Sequence, residues 1–147
     1  MKKYISSIVF ALLGCAVLSS CIDDDYMQLD KGHNELALTT SKTEIVLNEQ
    51  AHADNAVELT WTTGTNYGTG NKIAYTLELA KAGSNFADPY VAVENAVQEY
   101  TWKQNVEELN NLMCQRFGAT GSENISLEAR LTATVAGQDE KQTSTTS

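Results

Sequence analysis

The chain has 147 residues, 19 acidic side chains against 10 basic ones, and a formal net charge of −9. A chain of this length holds one domain with a single modest core. Its acidity repels phosphate backbones and anionic lipid, and no Lys/Arg cluster or basic aromatic stripe offsets that repulsion, which argues against nucleic-acid binding and electrostatic adhesion to membranes.

The first element is a leader. Lys2 and Lys3 precede an almost wholly apolar run, Ile5 to Leu18, broken only by Ser6, Ser7 and Gly14. Crossing a bilayer takes about 20 apolar residues; this shorter run reads as a signal peptide over residues 1–20. Ser19 and Ser20 are the small residues at its exit, and Cys21 follows at once. The order Leu18-Ser19-Ser20-Cys21 resembles the lipobox of bacterial lipoproteins. That resemblance implies cleavage before Cys21, a covalent lipid on its sulfur, and Cys21 as the mature N-terminus. A rival box, Leu12-Leu13-Gly14-Cys15, leaves a shorter apolar run and puts bulky Leu13 where small residues are usual, so it ranks second. Cleavage leaves 147 − 20 = 127 residues with 10 − 2 = 8 basic side chains, hence a mature charge of 8 − 19 = −11. Cys114 is then the one unmodified thiol, and no internal disulfide can form.

Residues 21–35 are polar, acidic and unpatterned and read as a flexible tether. The domain is expected over residues 36–136. Leu36 and Leu38 alternate and Ile45-Val46-Leu47 form a short apolar run, read as two short strands or one broken edge strand. Val57, Leu59 and Trp61 alternate with Glu58, Thr60 and Thr62, the period of a strand with one buried face. Trp61 is the candidate core tryptophan. The loop Thr63 to Asn71, TGTNYGTGN, is rich in residues that tolerate positive φ. It fits neither GxGxxG nor GxxxxGK[ST] and joins two strands, so it is not a phosphate loop. A strand from Ile73 to Ala80 follows, then turns at Ala82-Gly83-Ser84-Asn85 and Asp88-Pro89, a short strand marked by Val91 and Val93, and extended Tyr100 and Trp102.

Asn105 and Glu108 have capping-box spacing, Glu107 and Glu108 lie near the positive end of the dipole, and Gly118 can end the helix. With the apolar stripe Val106, Leu109, Met113 and Phe117, this predicts a helix over Val106–Phe117 laid against a sheet. Ile125, Leu127, Ala129, Leu131, Ala133 and Val135 alternate over a long strand, and residues 137–147 read as a polar tail in coil. The fold class is therefore mainly β: an immunoglobulin-like β-sandwich with one short helix in a connection, preceded by a signal peptide. The hallmark cysteine pair is absent, so that likeness is architectural.

No nucleophile with a base and no opposed carboxylate pair is found, so no catalytic residue is assigned and a non-enzymatic protein is expected. Asp23, Asp24 and Asp25 belong to the tether, Glu107 and Glu108 to the helix cap, and Glu58, Glu78 and Glu128 to the solvent face of strands. His33 and His52 lack a second ligand at metal spacing, so no metal or cofactor is expected beyond the lipid on Cys21. Cys114, next to Met113, is expected as a small buried hydrophobe. Tyr67, Tyr90, Tyr100 and Trp102 lie in loops or edge segments. Tyr100 and Trp102 share one face and are the candidate glycan-binding residues; the same face could cover the sandwich edge, and packing is the favoured reading.

The segments LALTTSKTEIVLNEQ, AVELTWTTGTNYGTGNKIAYTLELAKAGSNF, VEELNNLM and LEARLTATV, in this order, resemble the N-terminal domain of SusE-like outer-membrane lipoproteins from starch-utilisation-type systems. The resemblance implies a lipid-anchored, surface-exposed protein of a Gram-negative outer membrane. In such proteins the Ig-like domain is a spacer that projects polysaccharide-binding modules, working with a SusC/SusD-like importer. Asp23, Asp24 and Asp25 resemble the acidic surface-export signals of these lipoproteins. Family members continue beyond RLTATVAG through another strand into glycan-binding modules, whereas this chain stops in TSTTS. A missing last strand, an unpaired edge on Leu127–Val135 and a truncated chain are therefore expected. The alternatives are a self-sufficient carbohydrate-binding module using Tyr100 and Trp102, and an adhesin whose open edge accepts a partner strand.

Overall fold

The structure, a computed structural model, describes residues 34–121 and 123–147. The expected signal peptide with Leu18, Ser19 and Ser20, the expected lipidation site Cys21, Asp23, Asp24, Asp25 and nearly all of the expected tether lie outside the described residues.

The described residues form seven strands: β1 (Leu38–Thr40), β2 (Asn55–Trp61), β3 (Ile73–Lys81), β4 (Tyr90–Val97), β5 (Thr101–Asn105), β6 (Leu127–Val135) and β7 (Gln142–Thr146), of which β2, β3 and β6 carry the alternating apolar pattern. One sheet has the order β1-β2-β5 and the other β4-β3-β6-β7, and every pairing is antiparallel. Two antiparallel sheets facing across one core are the immunoglobulin-like sandwich that the pattern predicts. The fourth strand pairs with the third, whereas in a constant-type immunoglobulin domain it pairs with the fifth.

The inward residues are the ones the period of two picks out. Val57, Leu59 and Trp61 of β2 are buried, as are Tyr75, Leu77 and Leu79 of β3 and Ala129, Leu131, Ala133 and Val135 of β6. Leu77 and Leu131 are opposite one another in the β3–β6 ladder and fully excluded from water. Truncating either to Ala would cost about 2–5 kcal/mol through lost burial and the cavity left behind. On the outer face the same ladder sets Glu78 opposite Arg130. Their ion pair at 2.8 Å is covered by Phe86, whose ring centre lies 4.3 Å from the guanidinium. Glu58, on the other sheet's outer face, pairs with Lys103 at 2.9 Å.

The single α-helix of the described residues, α1, spans Val106–Phe117 as predicted and buries Val106, Leu109, Met113 and Phe117. Asn105 accepts from the Glu108 N–H at 2.8 Å and Glu108 accepts from the Asn105 N–H at 3.0 Å, so both arms of the capping box form. Gly118 closes the helix in the left-handed region, φ 69°.

Three expectations need correction. Ile45-Val46-Leu47 joins no ladder: the Ser41 hydroxyl takes the Glu58 N–H at 3.0 Å and ends β1 pairing, leaving Val46 88% exposed while Ile45 and Leu47 lean on the core. Cys114 is exposed, because one residue beyond Met113 turns it about 100° off the buried stripe. Residues 142–146 form β7 rather than coil, so the edge of β6 is paired and the strand thought to be missing is present. Their all-polar composition hides this, since β7 is half-buried at most and holds its place through hydrogen bonds. The strand expected at Val91 and Val93 is present as β4, with Val91 44% exposed although Val93 leans on the core. Tyr75, Leu77 and Glu78 pair with Ala96, Val93 and Val91, so β4 carries two one-residue bulges, and each bulge flips the faces.

Candidate functional site

The two long sides of the sandwich differ. On one, β7 crosses to β1: the Ser144 hydroxyl accepts from the Leu38 N–H at 3.0 Å. Gln142 meanwhile holds Thr65 in the β2–β3 loop. On the other side the edge strands β4 and β5 belong to different sheets and share no ladder. There α1, leaving β5 directly, lies beside the start of β4.

Arg116 fixes that arrangement. It pairs with Asp88 Oδ1 at 2.7 Å and donates to the carbonyls of Asp88 and Pro89 at 3.1 and 3.3 Å. The last turn of α1 is thus hooked to the backbone immediately before Tyr90. The Arg116 guanidinium holds the Asp88 carboxyl below its usual range, and Asp88 in turn raises Arg116.

Between these elements runs an open groove of about 610 Å³ lined by Tyr90, Gln104, Glu108, Asn111, Leu112, Gln115 and Arg116. Its two charged groups are engaged, Arg116 with Asp88 and Glu108 in the helix cap. What remains is one phenol ring, a leucine and three primary amides, a neutral surface that can donate and accept hydrogen bonds.

The sequence-predicted aromatics fall in different places. Trp102 sits opposite Leu59 and leans on the core, two residues before Gln104 and on the same face of β5. Tyr100 is 40% exposed and meets buried Tyr75 edge-on at 5.6 Å. Tyr75 also contacts Trp61, which is buried as anticipated, at 6.1 Å. Tyr67 lies in the β2–β3 loop at φ 56°. Tyr90 alone of the four lines the groove. The amides Gln104, Asn111 and Gln115 were not singled out by sequence, because polar residues on a helix and an edge strand look like ordinary solvated surface. The usable signal was the spacing of four between Asn111 and Gln115. Among the described residues, no three His, Cys, Asp or Glu side chains gather as a metal site.

The family model of the SusE outer membrane protein matches residues 23–132, three-quarters of the chain. The chain belongs to the SusE family. As a SusE protein it is an outer-membrane component of a Sus-type glycan-uptake system, in a family of surface binding and accessory proteins. The match runs from two residues after Cys21 into β6 and stops short of β7. No curated protein and no solved structure matches the chain.

Proposed function

We propose that this SusE chain is a lipid-anchored stalk domain, attached through Cys21 and non-enzymatic, that holds polysaccharide-binding surface away from the outer membrane beside a SusC/SusD-like importer. The direction of its two ends carries the reading. Asn34 enters beside Thr63, to whose hydroxyl it donates at 3.2 Å, and the Thr62 hydroxyl receives the Ala37 N–H at 2.8 Å. β7 starts at this same end, where Gln142 grips Thr65, and runs away from it until Thr146 lies opposite Ala129. A tether pulling at residue 34 and a chain continuing from Ser147 would leave opposite ends of the sandwich, which is the geometry of a spacer.

The lipobox Leu18-Ser19-Ser20-Cys21 supports the anchor, and a family match that begins at Asp23, just inside the mature sequence, agrees with cleavage before Cys21. Asp23, Asp24 and Asp25 then serve as the surface-export signal, and the held polymer is of the starch type. Radiolabelled palmitate should enter the wild-type chain and not Cys21→Ser; labelling that persists in Cys21→Ser defeats the anchor. Replacing Asp23, Asp24 and Asp25 with Ala should keep the lipid and lose accessibility to protease on whole cells; unchanged accessibility defeats the export role.

A further inference from the structure

We infer that the groove between α1 and the β4–β5 side binds a run of neutral polysaccharide. This rests on the reading of the chain as a glycan-uptake component and adds a contact site on the domain itself. Gln104 from β5 and Asn111 and Gln115 from α1 bring three amides to one groove. Asn111 and Gln115, four residues apart on one helix face, find no hydrogen-bond partner among the described residues, and Gln104 spends one N–H on its neighbour's carbonyl, Lys103 O, at 2.8 Å.

A primary amide offers two donors beside an acceptor, which suits neighbouring sugar hydroxyls, each of which both donates and accepts. Tyr90 supplies an aromatic surface at the groove wall, and the Arg116 hook on Asp88 and Pro89 fixes the backbone that carries it. Both charged groups of the groove are already engaged, so nothing here selects an ion. The groove is open, which lets a polymer pass through rather than requiring a chain end. An extended peptide is the poorer fit: it would add along a strand edge, here β4 or β5, whereas β4 is broken by two bulges and the groove's unspent polar groups are side-chain amides and not strand backbone.

The full-length chain, purified in detergent, is run in native gels containing amylopectin, galactomannan or arabinoxylan. At least one polymer should retard it. Asn111→Ala/Gln115→Ala should weaken retention about tenfold, the loss expected for two neutral hydrogen-bonding groups. Ala favours a helix at exposed positions, so misfolding does not explain such a loss. Tyr90→Ala should weaken retention similarly. Free migration in all three gels, or retardation that the double variant leaves unchanged, overturns the site. Retention by unfolded casein with none by the polysaccharides overturns it in favour of a peptide groove. Palmitate labelling at Cys21 is read separately, so failure here leaves the anchor reading standing.

Discussion

Gln142 and Thr65, 77 residues apart in sequence, are joined through both halves of one side chain: Gln142 Oε1 accepts the Thr65 N–H at 2.7 Å and Gln142 Nε2 donates to the Thr65 carbonyl at 2.7 Å. The pair ties the first residue of β7 to the β2–β3 loop, closing the sandwich at the end where Asn34 meets Thr63. Gln142→Ala leaves two part-buried backbone groups without partners and should cost about 1–3 kcal/mol. Urea unfolding reads the loss; a change within error would show that β7 is held by its ladder to β6 alone.

The same contact explains a glycine. Gly64 has φ 66°, and a Cβ there would stand 2.7 Å from Gln142 Oε1. Gly64→Ala should therefore cost about 1–3 kcal/mol from its backbone conformation and more from the clash. In a Gln142→Ala background the clash is gone, so Gly64→Ala should cost less there. A double-mutant cycle measures this coupling; strictly additive losses would refute the contact.

Asn105 starts α1 and accepts the Glu108 N–H, while Glu108 returns to the Asn105 N–H. Asn105→Ala should lower stability by about 1 kcal/mol. Glu108→Gln keeps an acceptor and should cost less than Glu108→Ala. Equal losses for the two Glu108 variants in urea melts would mean that the Glu108 arm of the box contributes nothing.

These cap residues, and the strands β2, β3 and β6, are legible in sequence because each is a local rule: a fixed cap spacing, or apolar residues at every second position. β7 was not legible. Gln142, Thr143, Ser144, Thr145 and Thr146 carry no apolar residue, and what places them is Thr65, the Leu38 N–H and the edge of β6, all far away in sequence. The bulges of β4 were hidden likewise, since register is set by the partner strand. The groove depended on both kinds of information: Asn111 and Gln115 share a helix face by spacing, but only the hook from Arg116 to Asp88 and Pro89 brings Tyr90 beside them.

That hook is also an acid-sensitive contact. Asp88 is depressed below its ordinary 3.8 by the hydrogen bond and then the charge of Arg116. A folded-state pKa below the unfolded one gives stability that is present above about pH 4 and is lost as pH falls through the folded value. Glu58, lowered mainly by its bond to Lys103, and Glu123, lowered by Thr120, have the same sign. Asp88→Asn should flatten the acid limb of the stability profile, and high salt should flatten the wild-type limb, because these pairs are exposed and screened. An acid limb unchanged by Asp88→Asn would remove the hook from the account.

Tyr75 sets the alkaline side. It is 1% exposed, donates to the Thr63 carbonyl at 2.7 Å, and touches the rings of Trp61 and Tyr100. Burial first, and Tyr100 second, push its hydroxyl well above the ordinary 10.0. A group whose pKa is raised by folding leaves stability intact below the unfolded value; above about pH 10 the unfolded chain ionises first and stability declines. Tyr75 should therefore ionise only as the protein unfolds. Tyrosinate absorbance should show that late step coinciding with loss of circular dichroism, and Tyr75→Phe should abolish it. The same variant should cost about 1 kcal/mol at neutral pH, because the Thr63 carbonyl loses its donor while the ring packing stays. A late step that survives in Tyr75→Phe would assign it to another tyrosine and sink the argument from burial.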